Sequence, residues 1–345
     1  MEEKYKNKGL TGLGNLGNTC YLNSVTQIYS NIIEFNEFLD TLSKLNKTID
    51  SLLLIEYNEI RNIIWKKNVT VIPKKYVCII FKVYKSKEYY DFSNFIQNDF
   101  MEFYDLLNDA FHNSIKNIKE YKFDYVDDFI LSHTNLINNK QNEKKYQDFI
   151  KNVFKEDYSI LKDIFCGIFE VRIKSKETNK ILSTSYDIFN SLSLGLDNQK
   201  YNGVNDLIDI YFKPELMDGD NMYFNDKTKK KEEVFKDLKI KRLPKILCIH
   251  LKRFTNQLKK IRDNIDFTNK LDFNKYTVND NLKYHYELFG LVMHSGSFEG
   301  GHYYVNIKNM NNKWYNFNDT NVKQYDITKV NKSHIYCLFY RLIKS

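Results

Sequence analysis

The chain has few of the features that would mark an exported or membrane protein. Its 5 cysteines are an odd number among 345 residues, and no two of them have the two-residue spacing of a zinc or redox pair. The first ten residues are charged and lack the apolar segment of a secretory signal. No run approaches the ~18 apolar residues that a transmembrane helix needs. We therefore expect a soluble protein of a reducing compartment, cytoplasmic or nuclear, without disulfides or membrane contact.

Proline and one-sided charge are also scarce. The chain has only 3 prolines, and its net charge of +8 comes from lysines and arginines that are scattered along the sequence. The densest basic run, residues 227–231, is short and is followed by two glutamates. A solvated loop or strand end explains such a run more often than a phosphate-binding surface does. We therefore predict no nucleic-acid partner.

Two apolar patterns divide the chain. Apolar residues recur at helical spacing over residues 21–35 and 97–112, and Asn18 or Thr19 could cap the first of these helices. The second half contains short segments rich in Ile, Val, Phe and Tyr between polar turns, which is typical of strands. The predicted strands are residues 164–173, 181–194, 246–254, 287–294, 302–308 and 335–342. A helical half followed by a strand-rich half favours an α+β enzyme with two lobes and a cleft between them.

A turn rich in glycine and asparagine leads directly into the first predicted helix at Cys20. The N-terminus of a helix carries a partial positive charge, which stabilises thiolates in general. The side-chain amide of Asn15, five residues earlier, could stabilise an oxyanion. A free cysteine is more often a small buried residue. The turn and the helix start favour a nucleophile at this position instead.

A second glycine-rich loop precedes His302, which opens a predicted strand and so has a rigid position for a general base. Asn318 and Asp319 follow a turn and could hydrogen-bond the imidazole and fix its tautomer. The strand position favours His302 over His294, although a loop histidine without a role is the alternative. The order Cys, His, Asn is that of papain-like enzymes, with a longer gap between the first two.

Several segments, in this order, resemble the sequence blocks of the ubiquitin-specific proteases. The similarity runs from about residue 9 to residue 341 and therefore covers nearly the whole chain. Two of the segments resemble the cysteine and histidine boxes of the family, and the others resemble the blocks between and after them. The segments are residues 12–27 (cysteine box), 97–103, 165–167, 189–194, 243–254, 286–305 with 314–322 (histidine box) and 336–341.

The resemblance implies the α+β fold of a papain-like cysteine peptidase with a helical thumb, a β-rich palm and β fingers. The expected thumb spans about residues 9–160, and the fingers span about 165–195 and 220–245. The palm comprises the remainder of a single catalytic domain over residues 9–345. Residues 1–8 are expected to form a flexible N-terminus.

The resemblance also implies a deubiquitinase that forms an acyl-enzyme. Cys20 would attack the carbonyl of the last glycine of ubiquitin, in an isopeptide or peptide bond. His302 would take the thiol proton and pass it to the lysine leaving group. Asn318 would orient His302, with Asp319 assisting. Asn15 aligns with the oxyanion residue of the family.

The family's substrate contacts fall on two further groups of residues. Carboxylates of the 97–103 block would meet the arginines in the tail of ubiquitin, although a solvated helix face is the alternative. The loop before His302 would line the narrow channel for the Gly-Gly tail. The implied substrate-binding residues are Gln97, Asp99, Glu102, Gly300, Gly301 and Tyr303.

The departures from the family pattern are informative. Many members carry two CxxC pairs that bind a structural zinc at the fingertips. Residues 176–179 and 225–228 occupy those places here and contain no cysteine, so we predict no metal and no cofactor. Asn98 replaces a usual Gln, and Thr268 replaces a usual Pro.

The expected partners are ubiquitin and ubiquitinated proteins, and the chain is expected to be a monomer. Two alternatives remain open at this point. One is a ubiquitin-binding module with weak catalysis. The other is a protease for a different ubiquitin-like modifier.

Overall fold

The computed structural model describes residues 2–118, 140–155, 157–196, 200–278 and 284–343. Within these ranges helices dominate the first half and strands dominate the second, which confirms the α+β prediction. None of the helices in these ranges is long and apolar enough to cross a membrane. The helices are α1 (Glu2–Tyr5), α2 (Cys20–Ser30), α3 (Ile33–Asp40), α4 (Asp50–Lys66), α5 (Lys74–Ser86), α6 (Phe100–Ile115), α7 (Lys140–Phe154), α8 (Ile160–Phe165) and α9 (Val204–Tyr211).

The strands form two large sheets. An eight-stranded sheet, the palm sheet, has the order β15-β14-β13-β12-β16-β10-β5, with β11 paired to β12. A four-stranded sheet, the finger sheet, has the order β4-β3-β9-β6. The strands are β1 (Gly12–Leu13), β2 (Thr70–Val71), β3 (Gly167–Ser175), β4 (Ile181–Phe189), β5 (Ser191–Gly195), β6 (Glu215–Met217), β7 (Tyr223–Asn225), β8 (Lys230–Glu232), β9 (Val234–Arg242), β10 (Ile246–Lys252), β11 (Lys270–Asp272), β12 (His285–Gly296), β13 (Gly301–Lys308), β14 (Trp314–Asn318), β15 (Asn321–Gln324) and β16 (Ile335–Ile343).

Helix α2 lies at the centre of the helical half, and all of its residues are buried. It packs against α6 and against β13 of the palm sheet. The palm sheet separates two apolar cores, and successive residues of its strands face opposite cores. In β10, Cys248 belongs to the core shared with the helices, whereas Leu247 and Ile249 belong to the other core. The first residue of α2, Cys20, is thereby held against the palm sheet.

The N-terminal segment differs from the flexible terminus that we expected for residues 1–8. Helix α1 packs on the helical half, and Tyr5 is only 2% exposed. The ring of Tyr5 contacts Trp65 edge-on at 4.8 Å, and its hydroxyl donates to Glu37 at 2.7 Å. One bulky aromatic residue therefore anchors a segment whose polar composition predicts a loose chain.

Candidate active site

Cys20 lies at the edge of a cleft of about 580 Å³ between helices and palm sheet. Cys20 is the first residue of α2, and the residue as a whole is 4% exposed. Side chains from α2, α6 and its preceding loop form one wall, and residues of β12, β13 and β16 form the other. The lining residues are Asn18, Cys20, Tyr21, Asp91, Ile96, Gln97, Asn98, Asp99, Glu102, Phe254, His294, Ser297, Phe298, Gly301, Tyr303 and Tyr336.

The turn before Cys20 is held by hydrogen bonds within itself. Asn15 Oδ1 accepts from the backbone N–H groups of Gly17 at 3.0 Å and of Thr19 at 3.1 Å. Gly17 and Asn18 have φ values of +104° and +51°, a left-handed conformation that glycine and asparagine tolerate best. Thr19 is the N-cap of α2, as expected, but its hydroxyl accepts from Leu16 N and makes no cap bond. The first N–H groups of α2 therefore have no side-chain cap.

His302 is the second residue of β13, and Asn318 closes the neighbouring strand β14. The His302 Nε2 atom lies 2.6 Å from Asn318 Oδ1. Because Oδ1 can only accept, Nε2 carries the proton, and Nδ1 is the nitrogen left for Cys20. The side-chain interaction with Cys20 is the main cause that raises the pKa of His302 to about 9, against the opposing effect of burial. The structure thus brings together a thiol and an imidazole that lie 282 positions apart.

Asp319 lies in the turn between β14 and β15 and connects it to the turn before Cys20. Its backbone carbonyl accepts from Leu13 N at 2.9 Å. Its carboxylate accepts from Asn15 Nδ2 at 3.0 Å and from Asn23 Nδ2 at 2.8 Å. The second N–H of the Asn15 amide has no acceptor among the described residues and is available for an oxyanion. All five residues expected at the catalytic centre therefore lie in one cluster, and their roles remain predictions.

Two of the expected substrate-binding residues are engaged within the protein. Gln97 Oε1 accepts from Gly301 N at 2.8 Å and so connects the two walls of the cleft. The carboxylate of Asp99 caps α6 by accepting from the backbone N–H groups of Met101 and Glu102, at 2.7 and 3.2 Å. Its second oxygen accepts from the hydroxyls of two buried tyrosines at 3.1 and 2.5 Å. Asp99 is therefore a connection between the lobes as well as part of the cleft.

Glu102 differs from Asp99. Its side chain is exposed, and no ion pair or hydrogen bond of its carboxylate occurs in the described parts of the chain. Partial burial is the main cause that raises the pKa of Glu102, and the negative charges of Asp99 and Asp91 raise it further. Its free carboxylate at the rim of the cleft is the better placed of the two to meet a basic tail.

The two glycines before His302, Gly300 and Gly301, differ in the space around them. A side chain at Gly300 would meet only Gln97 Oε1, at 3.9 Å, whereas a Cβ at Gly301 would lie 2.0 Å from His294 Nε2. Gly301 is therefore the position at which any larger residue would displace the cleft wall. Tyr303 lies on the same wall, and its ring centroid is 4.6 Å from that of His294.

Several residues that line the cleft had no role predicted from the sequence, among them four with aromatic rings: Phe254, His294, Phe298 and Tyr336. All four lie in segments that resemble family blocks, residues 243–254, 286–305 and 336–341, and His294 was the alternative to His302. Their convergence on the cleft depends on tertiary packing, for which the sequence has no local signal.

The expected fingertip positions lie at the ends of two hairpins: residues 176–179 follow β3 in the long β3–β4 hairpin, and residues 225–228 run from the last residue of the short strand β7 towards the short strand β8. Polar contacts are present there: Asn225 Nδ2 lies 3.1 Å from the carboxylate of Glu232, and Lys176 Nζ lies 2.6 Å from that of Glu233. The described residues contain no group of three or more His, Cys, Asp or Glu side chains arranged to bind a metal.

Comparisons with known proteins match this arrangement. The sequence model of the family "Ubiquitin carboxyl-terminal hydrolase" matches residues 11–340. The chain belongs to the ubiquitin carboxyl-terminal hydrolase family. This match confirms the resemblance to the ubiquitin-specific proteases, which rested on the sequence blocks described above.

Two relatives in this family illustrate the degree of similarity. The chain is 30% identical to ubiquitin carboxyl-terminal hydrolase Usp2 of Drosophila melanogaster over 97% of its own length and 35% of that protein. It is 29% identical to ubiquitin carboxyl-terminal hydrolase 2 of Bos taurus over 97% of its own length and 55% of that protein. The chain thus spans about a third to a half of the length of these hydrolases.

Solved structures show the fold. The Ubp8 DUB module of SAGA, bound to monoubiquitin, matches with a TM-score of 0.75 at 22% identity, over 100% of this chain and 71% of that one. The same module bound to ubiquitin aldehyde matches with a TM-score of 0.75 over 99% of this chain and 71% of that one. The hydrolase fold of this chain is therefore the papain-like one that the resemblance implied.

Proposed function

We propose that the chain is a deubiquitinase, which hydrolyses the isopeptide or peptide bond after the C-terminal glycine of ubiquitin. The observation that carries the proposal is the convergence of Cys20, His302 and Asn318 at one end of a cleft. Membership of the ubiquitin carboxyl-terminal hydrolase family supports the same chemistry. The solved neighbours are bound to monoubiquitin and to ubiquitin aldehyde, and we carry that substrate over to this chain.

The geometry supports a two-stage acyl transfer. The Cys20 sulfur attacks the carbonyl carbon of the terminal glycine while His302 holds the thiol proton on Nδ1. The oxyanion that forms would accept from the free N–H of Asn15 and from the uncapped N-terminus of α2. His302 then protonates the departing lysine amine, the C–N bond breaks, and a thioester remains. Asn318 keeps the imidazole in place through Nε2.

The second stage releases ubiquitin. His302, now neutral, accepts a proton from water as the water oxygen attacks the thioester carbonyl. The C–S bond breaks, the thiolate regains the imidazolium as its partner, and the terminal glycine of ubiquitin leaves as a carboxylic acid that releases its remaining proton to solvent. The cleft beside Cys20 would hold the preceding tail, and Gly301, which has no side chain, leaves room for the ring of His294 in the cleft wall.

The test is hydrolysis of a fluorogenic ubiquitin C-terminal amide, with Cys20→Ala as control. We expect turnover by the wild type and none by the variant. A ubiquitin probe with an electrophilic C-terminus should label Cys20 alone, and a label on any other residue would contradict the site. Binding without turnover would indicate a ubiquitin-binding module, and preference for a probe made from another Gly-Gly-tailed modifier would redirect the substrate assignment.

Two further expectations belong to this proposal. We propose that the chain acts as a monomer in the cytoplasm or the nucleus, without a metal or other cofactor. Light scattering after size-exclusion chromatography tests the oligomeric state, and imaging of a tagged chain tests the location. The Ubp8 neighbour is named together with Sgf11, Sus1 and Sgf73, so a partner protein is a second outcome to examine for this chain.

A further inference from the structure

A lysine side chain is buried beside the cleft without a carboxylate partner. Lys260 is 8% exposed, and no carboxylate within ion-pair distance of its ammonium occurs in the described residues. Its Nζ donates instead to two atoms of one residue, His294 Nδ1 at 2.8 Å and the His294 carbonyl oxygen at 2.7 Å. The ammonium also lies 5.9 Å from the ring centroid of Phe254.

Lys260 belongs to a hairpin that follows β10. Phe254 and Lys260 form an antiparallel bridge in it, and Ile261 N donates to Arg253 O at 2.7 Å. The hairpin is attached to the end of β12 at two points: through Lys260 to His294, and through Arg262 Nη2 to Gly296 O at 3.0 Å. These contacts fix the hairpin against the strand and loop that precede His302.

The lysine sets the tautomer of His294. An ammonium can only donate, so Nδ1 of His294 accepts and its single proton lies on Nε2. Burial and the adjacent Lys260 lower the pKa of His294 to about 4, which keeps the ring neutral. The Nε2 edge faces Gly301, where a Cβ would lie only 2.0 Å away. Gly301 in turn donates its backbone N–H to Gln97 and immediately precedes His302.

We propose that Lys260 is a positioning residue of the cleft. It holds His294 as the Nε2–H tautomer, and thereby fixes the wall formed by His294, Phe254 and Gly301 against which the substrate tail lies. This inference rests on the proposed function and adds a residue that touches neither substrate nor the reacting atoms.

Stability does not account for the lysine. Burying an ammonium without a counter-charge is unfavourable, and this cost opposes the gain from its two hydrogen bonds to His294. Burial, together with repulsion from Arg262 and Arg253, lowers the pKa of Lys260 to about 8. Methionine has a similar length and carries no charge, so it would fill the space at less desolvation cost. If Lys260 is a positioning residue, the fold should not depend on it for stability.

The experiment compares Lys260→Met with Lys259→Met, an exposed lysine of the same hairpin. For Lys260→Met we expect a melting temperature close to that of the wild type, because the relieved desolvation of the ammonium offsets the two acceptors of His294 that are left unpaired. The KM for the fluorogenic ubiquitin amide should rise about tenfold, with a kcat within about twofold. Lys260→Arg keeps the donor and should recover part of the affinity. Lys259→Met should match the wild type in every measurement.

A structural role would give a different pattern. Loss of folded enzyme lowers kcat and the melting temperature and leaves KM unchanged, and that result for Lys260→Met would overturn the inference. So would an unchanged KM. An independent test is ¹⁵N NMR of the His294 ring in the wild type, where a proton on Nδ1 would contradict the assignment whether or not any variant folds. If the wild type hydrolyses no ubiquitin substrate, the proposed function fails, while the NMR and melting arms still test Lys260.

Discussion

The side-chain amide of Asn15 donates a hydrogen bond of 3.0 Å to the carboxylate of Asp319, although the two residues are 304 positions apart. This bond crosses from the helical half to the palm sheet directly beside Cys20. The bond uses one of the two N–H groups of the Asn15 amide. Because the amide is planar, this bond also fixes the direction of the second N–H. The amide of Asn15, which we propose as the oxyanion donor, is therefore oriented by the opposite lobe.

Replacing Asp319 should impair the chemical step more than binding. We expect Asp319→Ala to lower kcat for the fluorogenic ubiquitin amide by about 10- to 100-fold with KM within about threefold, because loss of one oxyanion donor costs about 10²–10³ in kcat. Steady-state kinetics measure both constants. A rise in KM alone would show that Asp319 serves binding instead.

A double-mutant cycle tests whether Asp319 acts through Asn15. If it does, Asn15→Ala combined with Asp319→Ala should be little slower than the slower single variant, since the two changes remove one interaction. Multiplicative losses in kcat would indicate independent roles, for example through the charge of Asp319 near His302.

The residues nearest the chemistry have local sequence signals. The glycine-rich turn and helix start identify Cys20, and a glycine loop followed by a strand identifies His302. Both signals depend on backbone requirements that only a few residue types satisfy, such as the positive φ of Gly17. The helices and strands follow in the same way from apolar periodicity, so the α+β class could be predicted.

Other parts of the site depend on contacts that no local pattern encodes. Asp99 lies inside the helix predicted over residues 97–112 but is the N-cap of α6, and its hydrogen bond from Tyr336 spans 237 positions. Lys260 lies in a polar hairpin, where a lysine is usually exposed to solvent, and is nevertheless buried against His294. Tyr5 lies in a polar segment and is anchored by Trp65. In each case the partner is distant in sequence, and packing decides the outcome.

Asn318 should matter for the orientation of His302 rather than for charge. We expect Asn318→Ala to lower kcat about 10- to 100-fold, because the imidazole loses the acceptor that fixes its Nε2–H. Asn318→Asp keeps an acceptor oxygen in the same place and should remain within a few-fold of the wild type. Equal losses in both variants would show that the amide nitrogen, rather than Oδ1, is the functional atom.

The activity should decline at alkaline pH as His302 loses its proton. Its pKa is raised from the ordinary 6.5 to about 9, first by Cys20 and then by Asn318. The imidazolium therefore stabilises the folded state fully below pH 6.5, and this contribution is lost as the pH rises through 9. The same deprotonation removes the acid that the lysine leaving group needs.

The measurement is kcat/KM for the ubiquitin amide between about pH 6 and pH 10, which reports groups of the free enzyme. We expect a falling limb centred near pH 9. Asn318→Ala should move this limb to lower pH because one cause of the raised pKa is removed. A limb near pH 6.5 in the wild type would mean that Cys20 and His302 do not interact in solution.

The fingertips should not depend on a metal. Residues 176–179 and 225–228 offer no thiolate, and the contacts present there are Asn225 with Glu232 and Lys176 with Glu233. Treatment with a zinc chelator, followed by gel filtration, should therefore leave both the melting temperature and the kcat/KM of the chain unchanged. A drop in melting temperature that added zinc reverses would contradict this prediction.

Asp99 and Glu102 should separate stability from substrate binding. Asp99 caps α6 and accepts from the hydroxyls of Tyr303 and Tyr336, and burial raises the pKa of both phenols so that they stay donors. We expect Asp99→Ala to lower the free energy of unfolding by about 2–4 kcal/mol, the sum of a lost helix cap and unsatisfied buried hydroxyls. Urea titration of each variant measures this quantity.

Glu102 is the matched control, since it lies on the same helix turn with an exposed carboxylate. Glu102→Ala should change the free energy of unfolding by less than about 0.5 kcal/mol, as exposed positions usually do. If its carboxylate meets the basic tail of ubiquitin, KM should rise several-fold and the rise should shrink with added salt, because exposed charge pairs are screened. If instead Asp99→Ala raised KM without loss of stability, Asp99 would be primarily a substrate contact and its bonds to the two tyrosines would contribute little to joining the lobes.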